Sequence, residues 1–267
     1  MTLDMTSNQT RRVKLLLKFA SILVAAAGII LGLLTLASAA GIWLGAWDFR
    51  RGFDLLRMAN DYGDVIAWTC LAITVVIVFA ARLWNTGNAL RLGTLAATGT
   101  LIAGIAYAIP ESCRPPEGVN YQPIHDISTD LVSPPEFVAI LPLRAAAPNT
   151  VVYGGTDNMT PERLAELTRE AYPDLVPRTY PEPIAPVFTR AVAAVSELGW
   201  ELVAADQSAG RIEATATTFW FRFKDDIVIT FAETTGQTLV NARSVSRVGV
   251  GDVGANALRL RKFFALL

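Results

Sequence analysis

The chain has 267 residues, 52% of them hydrophobic, with a mean hydropathy of +0.38 and a formal net charge of −1. The apolar excess is uneven: up to Pro110 there are 9 basic and 5 acidic residues, and beyond it 14 and 19. The acidic second part argues against a nucleic-acid partner, which needs a basic face for phosphates, and against docking on an anionic membrane surface.

The first 110 residues read as a membrane anchor. Phe19 to Trp47 holds no charge before its end and as a helix covers about 43 Å, more than the roughly 30 Å of a hydrocarbon core. Val65 to Ala81 and Leu92 to Ile109 are near the minimum for a span. In lipid the backbone must satisfy its own hydrogen bonds, so these runs are helices. Trp43, Trp47, Trp68, Trp84, Tyr62 and Tyr107 fall near their ends, where amphipathic rings favour the interface. A basic leader and Ala37-Ser38-Ala39 also fit a cleaved signal peptide, but the apolar run continues past that site and two further spans follow. The Asp48–Asp64 stretch reads either as a short interfacial helix or as a connecting turn. None of the span cores carries a charge, which speaks against a transport pathway.

Lys and Arg in the flanks set the orientation. Arg11, Arg12, Lys14, Lys18, Arg82 and Arg91 lie on one side, against Arg50, Arg51, Arg57 and Arg114 on the other. The N-terminus is expected inside, and three spans then put the C-terminal domain outside: a multi-pass inner-membrane protein with an extracytoplasmic domain. Two cysteines, Cys70 and Cys113, are too few for a disulfide framework and lack zinc spacing. Cys113 reads as an unpaired thiol, pairing with another chain being the alternative.

Residues 111–150 are rich in proline and are expected to be extended, with Phe137, Val138, Ile140 and Leu141 packing part of the segment on the domain. From 151 to 267 the pattern is α+β. Thr160-Pro161-Glu162 opens a helix to about Ala171, and Ala185 to Leu198 is amphipathic, with Gly199 placed to end it. Strands are expected over Trp200–Ala205, Arg211–Thr217, Phe219–Phe231 with a bend at Lys224-Asp225-Asp226, and Thr238–Val248. A helix over Val253–Leu266 closes the chain. This order predicts an antiparallel sheet with helices over one face.

Several separated strings carry a family resemblance: Pro123-Ile124-His125-Asp126-Ile127-Ser128-Thr129-Asp130 with Pro134-Pro135 and Phe137; Ala171-Tyr172-Pro173-Asp174; Gly210-Arg211-Ile212-Glu213-Ala214; Phe223-Lys224-Asp225-Asp226; and Arg243-Ser244-Val245-Ser246-Arg247-Val248-Gly249 with Asp252-Val253-Gly254-Ala255-Asn256. Together, from about Ser112 onward, the chain resembles the bacterial family known as Domain of Unknown Function 1499. The resemblance implies no established activity or cofactor.

Gly249-Val250-Gly251-Asp252-Val253-Gly254 matches the dinucleotide fingerprint in letters, but no following parallel strand exists to carry a ribose partner. Asp252 beside the helix start would cap amides and repel a pyrophosphate. His125, the single histidine, stands near Asp126 and Asp130. The three read either as a general base with carboxylates or as side-chain-to-backbone turns, with His125 packed against the sheet. Alternation puts Asn241, Arg243, Val245 and Arg247 on one face of the last strand, and Arg211 with Glu213 on one face of theirs. Such a row, facing Glu213, Asp225 or Asp226, either binds an anion or forms ion pairs on a solvated face. With Asn256, these residues make up the candidate cluster. The expectation is a membrane-tethered, non-catalytic binding domain of the cell envelope. Its partners are the lipid bilayer and an envelope protein or anionic small ligand, and it needs no cofactor. The alternative is an envelope hydrolase using His125 with Asp126 or Asp130, with or without a metal.

Overall fold

A computed structural model describes residues 2–112, 114, 119, 121–155 and 158–267. Cys113, and with it the expected unpaired thiol, lies outside the described residues. The chain divides into two compact units, Met1–Pro115 and Pro116–Leu267.

The first unit is three packed helices, α1 (Thr2–Trp43), α2 (Phe49–Leu83) and α3 (Ala89–Ser112), each long and apolar enough to cross a membrane. α2 starts 16 residues before the expected span. Asp48 caps it by accepting from the Arg51 amide at 3.1 Å, so most of the stretch read as a loop or separate interfacial helix is its first four turns. The inner faces are built from small residues. A Cβ on Gly99 would stand 2.5 Å from the Val24 carbonyl oxygen and the Ala25 Cα, so α1 and α3 approach backbone to backbone. Thr74 and Thr100 share a 2.8 Å hydroxyl hydrogen bond between α2 and α3. Phe19, Ile30, Leu33, Val65, Val76, Phe79 and Leu101 point outward, exposed. In water such a surface would aggregate; a bilayer covers it.

The second unit is a six-stranded antiparallel sheet with three helices. Its strands are β1 (Asp126–Ser128), β2 (Arg178–Tyr180), β3 (Glu201–Asp206), β4 (Arg211–Thr217), β5 (Lys224–Thr234) and β6 (Gln237–Ser246). The order is β1-β6-β5-β4-β3, with β2 pairing β6 further along. The helices are α4 (Pro161–Ala171), α5 (Ile184–Glu197) and α6 (Ala255–Leu266). Thr160 caps α4 as expected, accepting from the Arg163 amide. Gly199, at φ +68°, follows α5 in the left-handed region that glycine tolerates.

One sheet face carries Ile127, Ile212, Ala214, Ile227, Ile229 and Ala242 against Val187, Phe188 and Ala191 of α5 and Leu260 and Phe263 of α6. The other face is covered too, by the chain from 131 to 155, irregular apart from a 3-10 turn at Leu141–Arg144, where Phe137 and Ile140 pack on Val228 and Val245. Val138 and Leu141, expected in that contact, are exposed.

Two strand expectations fail. Phe219 to Phe223 form a loop: the Thr218 amide donates to the Phe223 carbonyl and the Phe223 amide to Thr218 Oγ1, both at 2.8 Å. Arg222, at φ +56°, turns the chain back. The bend placed at Asp225-Asp226 is instead regular strand at the start of β5, opposite Ser246 and Val245. β1 and β2 were not foreseen, since three-residue edge strands have too little sequence for a period to show.

Candidate functional site

Alternation along β4, β5 and β6 sends Glu213, Asp226, Arg243 and Arg247 to the face beneath 131–155. β1 adds Asp126, opposite Val245. Arg243, 2% exposed, is the anchor of this layer. Its Nε and Nη2 donate to the two Asp126 oxygens at 2.8 and 2.7 Å, Nη1 to the Pro135 carbonyl at 3.0 Å, and Nη2 also to the Val151 carbonyl at 2.7 Å. The rings of Phe137 and Tyr153 flank the guanidinium at 5.4 and 5.3 Å, which adds cation–π attraction in a dry setting.

Asp226, fully buried, receives two arginines. Arg247 grips both its oxygens at 2.8 Å, Arg144 donates at 2.7 Å, and Thr215 adds a hydroxyl at 2.7 Å. Burial pushes this carboxyl up, but the donors from Arg247, Thr215 and Arg144 together outweigh it and leave it below its ordinary value. Glu213 accepts three successive amides, Val138 and Ala139 on one oxygen and Ile140 on the other, at 2.8 to 3.1 Å. Three arginines and three carboxylates thus share one covered layer, and their formal charges cancel. The expectation of cross-strand ion pairs is met; the expectation of a solvated face is not, because 131–155 roofs it. The same pairing leaves the arginine row no open fork for an anion.

Asp225 points the other way, toward α6. Arg259 donates to it at 2.6 Å and also contacts Asn256. Asn256 accepts from Ser244 at 2.6 Å and donates to Ser246 Oγ at 2.9 Å and to the His125 carbonyl at 3.0 Å. Asp252 caps the α6 entry by accepting the Gly254 and Asn256 amides at 2.8 Å each. Burial, aided by the negative charge of Asp225, raises its pKa. The glycine string around it is therefore a strand-to-helix turn.

The structure does not assemble His125, Asp126 and Asp130 into a catalytic group. Asp126 is committed to Arg243, which corrects its reading as a turn former. Asp130 accepts the Val132 and Ser133 amides at 3.0 and 2.9 Å, the turn expected of it. Arg211 lies at the far end of the sheet, paired in register with Asp206. His125 Nδ1 stands 3.2 Å from the Val250 carbonyl. A carbonyl only accepts, so Nδ1 holds the proton and Nε2 is left as the basic nitrogen.

His125 opens onto a cleft of about 300 Å³. Ile124, Val152, Met159, Leu164 and Val250 form its apolar wall; Asn149, Thr150 and Asn158 add polar groups, and Gly154, Gly155 and Gly249 complete the lining. Asn149 is held by bonds to the Ser246 and Gly249 carbonyls. Behind it, Tyr153 has its pKa pushed up to about 12 by burial, with the charge of Asp126 adding to the effect. Among the described residues, no group of three or more His, Cys, Asp and Glu side chains stands together as a metal site. Sequence reasoning missed Arg144, Asn149 and Arg259, isolated polar residues in an irregular segment and on a helix with no periodic signal to single them out.

Comparison with curated proteins and with solved structures gives no match. The family described as "Protein of unknown function (DUF1499)" matches residues 126–267, which takes in the whole sheet, the ion-paired layer and α6. The chain belongs to the DUF1499 family.

Proposed function

We propose that the protein is a membrane-tethered, non-catalytic binding module of the bacterial cell envelope, with its C-terminal domain on the extracytoplasmic, periplasmic side. The cleft at His125 is its ligand site. The cleft carries this reading: it is preformed, mostly apolar and edged by a few fixed polar groups, the usual make-up of a small-molecule site. The charged residues that could do chemistry are engaged in holding the fold. An apolar ligand with one hydrogen-bond donor for Nε2 fits better than an anion. Native mass spectrometry of the intact protein released from mild detergent tests this. A ligand should co-purify, and Met159→Trp, which fills the cleft, should lose it. Retention of the same ligand by that variant would refute the assignment to this cleft.

A second reading, an envelope hydrolase, draws on the unengaged Nε2 of His125, a general base at an open cleft. It requires turnover of generic esters or phosphates that His125→Ala abolishes. Absence of turnover in the intact protein, with and without added divalent metal, removes it.

A further inference from the structure

The β4–β5 loop, Thr218-Phe219-Trp220-Phe221-Arg222-Phe223-Lys224, holds four aromatic rings and two cations in seven residues. It is a shaped loop, closed by the Thr218–Phe223 hydrogen bonds, with the rings of Phe221 and Phe223 5.6 Å apart. Phe219 is 69% exposed at its tip.

The sheet places this loop at the end where the chain enters the domain. Thr217 is opposite Lys224, Asp225 opposite Ser246, and Asp126 opposite Val245. Residues 121–125 therefore lead into the same end. The Asp252 amide bonds to the Ile124 carbonyl there. Val250, 77% exposed, and the exposed Val253 and Leu258 add apolar surface beside it. Only nine residue steps separate Ser112, the end of α3, from Tyr121, a reach of at most about 30 Å. The helix before this short tether is long and apolar enough to cross a membrane.

The net acidity of the second half argued against a membrane surface, but it is a sum over the whole domain. At this end Arg222, Lys224 and Lys262 are exposed, against Glu201 at the start of β3. We propose that the β4–β5 loop is a lipid-interface anchor. Phe219 and its neighbours insert among the headgroups of the membrane that the chain itself spans, while Arg222 and Lys224 sit at the phosphates. Aromatic rings with an apolar body and snorkelling cations are the side chains that favour this depth.

The test uses the full chain in nanodiscs of phosphatidylcholine and phosphatidylglycerol. A spin label is placed at Phe219→Cys, in a background of Cys70→Ala and Cys113→Ser. A control label at Gln207→Cys occupies the turn at the opposite end of the sheet. At 219, accessibility to oxygen should exceed that to an aqueous nickel chelate severalfold, with the reverse at 207. Equal nickel access at both positions overturns the proposal. So does a label at 219 shielded from both reagents, which would mark a protein contact. Because Phe219→Cys removes one ring, Trp220→Phe in the otherwise native chain gives a second reading. It should lower the fraction of tryptophan emission quenched by brominated lipid, and an unchanged fraction overturns the proposal as well.

Discussion

Arg243 is buried away from water, and four acceptor contacts and two rings surround its guanidinium. Removing one partner of such a pair strands the other. Arg243→Met should therefore destabilise the domain by about 3–5 kcal/mol, and adding Asp126→Asn should recover part of the loss; thermal unfolding of the intact protein in detergent reads both. Asp226 predicts a pH dependence. Its folded pKa lies below the unfolded value, so its contribution is complete above the ordinary carboxylate pKa. The contribution is lost as the pH falls through the depressed folded value. Asp226→Asn should be less stable at pH 7 and should lose less on further acidification. A variant that follows the native acid limb would show that other carboxyls set it.

The elements were legible where their pattern was local. α4 was marked by Thr160-Pro161-Glu162, and β4 by strict alternation from Arg211 to Thr217, and both form where that pattern put them. Phe219-Phe221-Phe223 alternates as well, yet forms a loop, because a period of two reports only the spacing of like residues and not whether a partner strand lies beside them. The start of α2 was hidden for the opposite reason: charges at Arg50, Arg51, Asp54 and Arg57 interrupt the apolar run while its helix continues beneath them. In the anchor, contact between helices rests on glycine. Gly99→Leu would drive a side chain into the α1 backbone, so it should cost about 1–3 kcal/mol or more in a detergent-denaturant titration of the helical half. Full stability in that variant would refute the close approach of α1 and α3.

At the scale of the molecule, the three apolar helices make the chain a membrane protein, and its sidedness is an expectation from the basic flanks. A phosphatase reporter fused after Leu267 should be active, since that enzyme matures only outside the cytoplasm, and a cytosol-dependent reporter at the same position should be silent. The reverse result would invert the topology. Hydrophobic runs, helix caps and strand alternation determined by themselves that the chain would carry an apolar anchor and an α+β domain, because each is a property of neighbours in sequence. The tertiary structure alone decided which charges meet. Asp126 finds Arg243 across 117 positions and Arg144 finds Asp226 across 82, and the roof that turns a solvated ion-pair face into a buried layer is an irregular segment with no period of its own. Long-range pairing under a cover depends on where the whole chain folds back, and no local pattern encodes that.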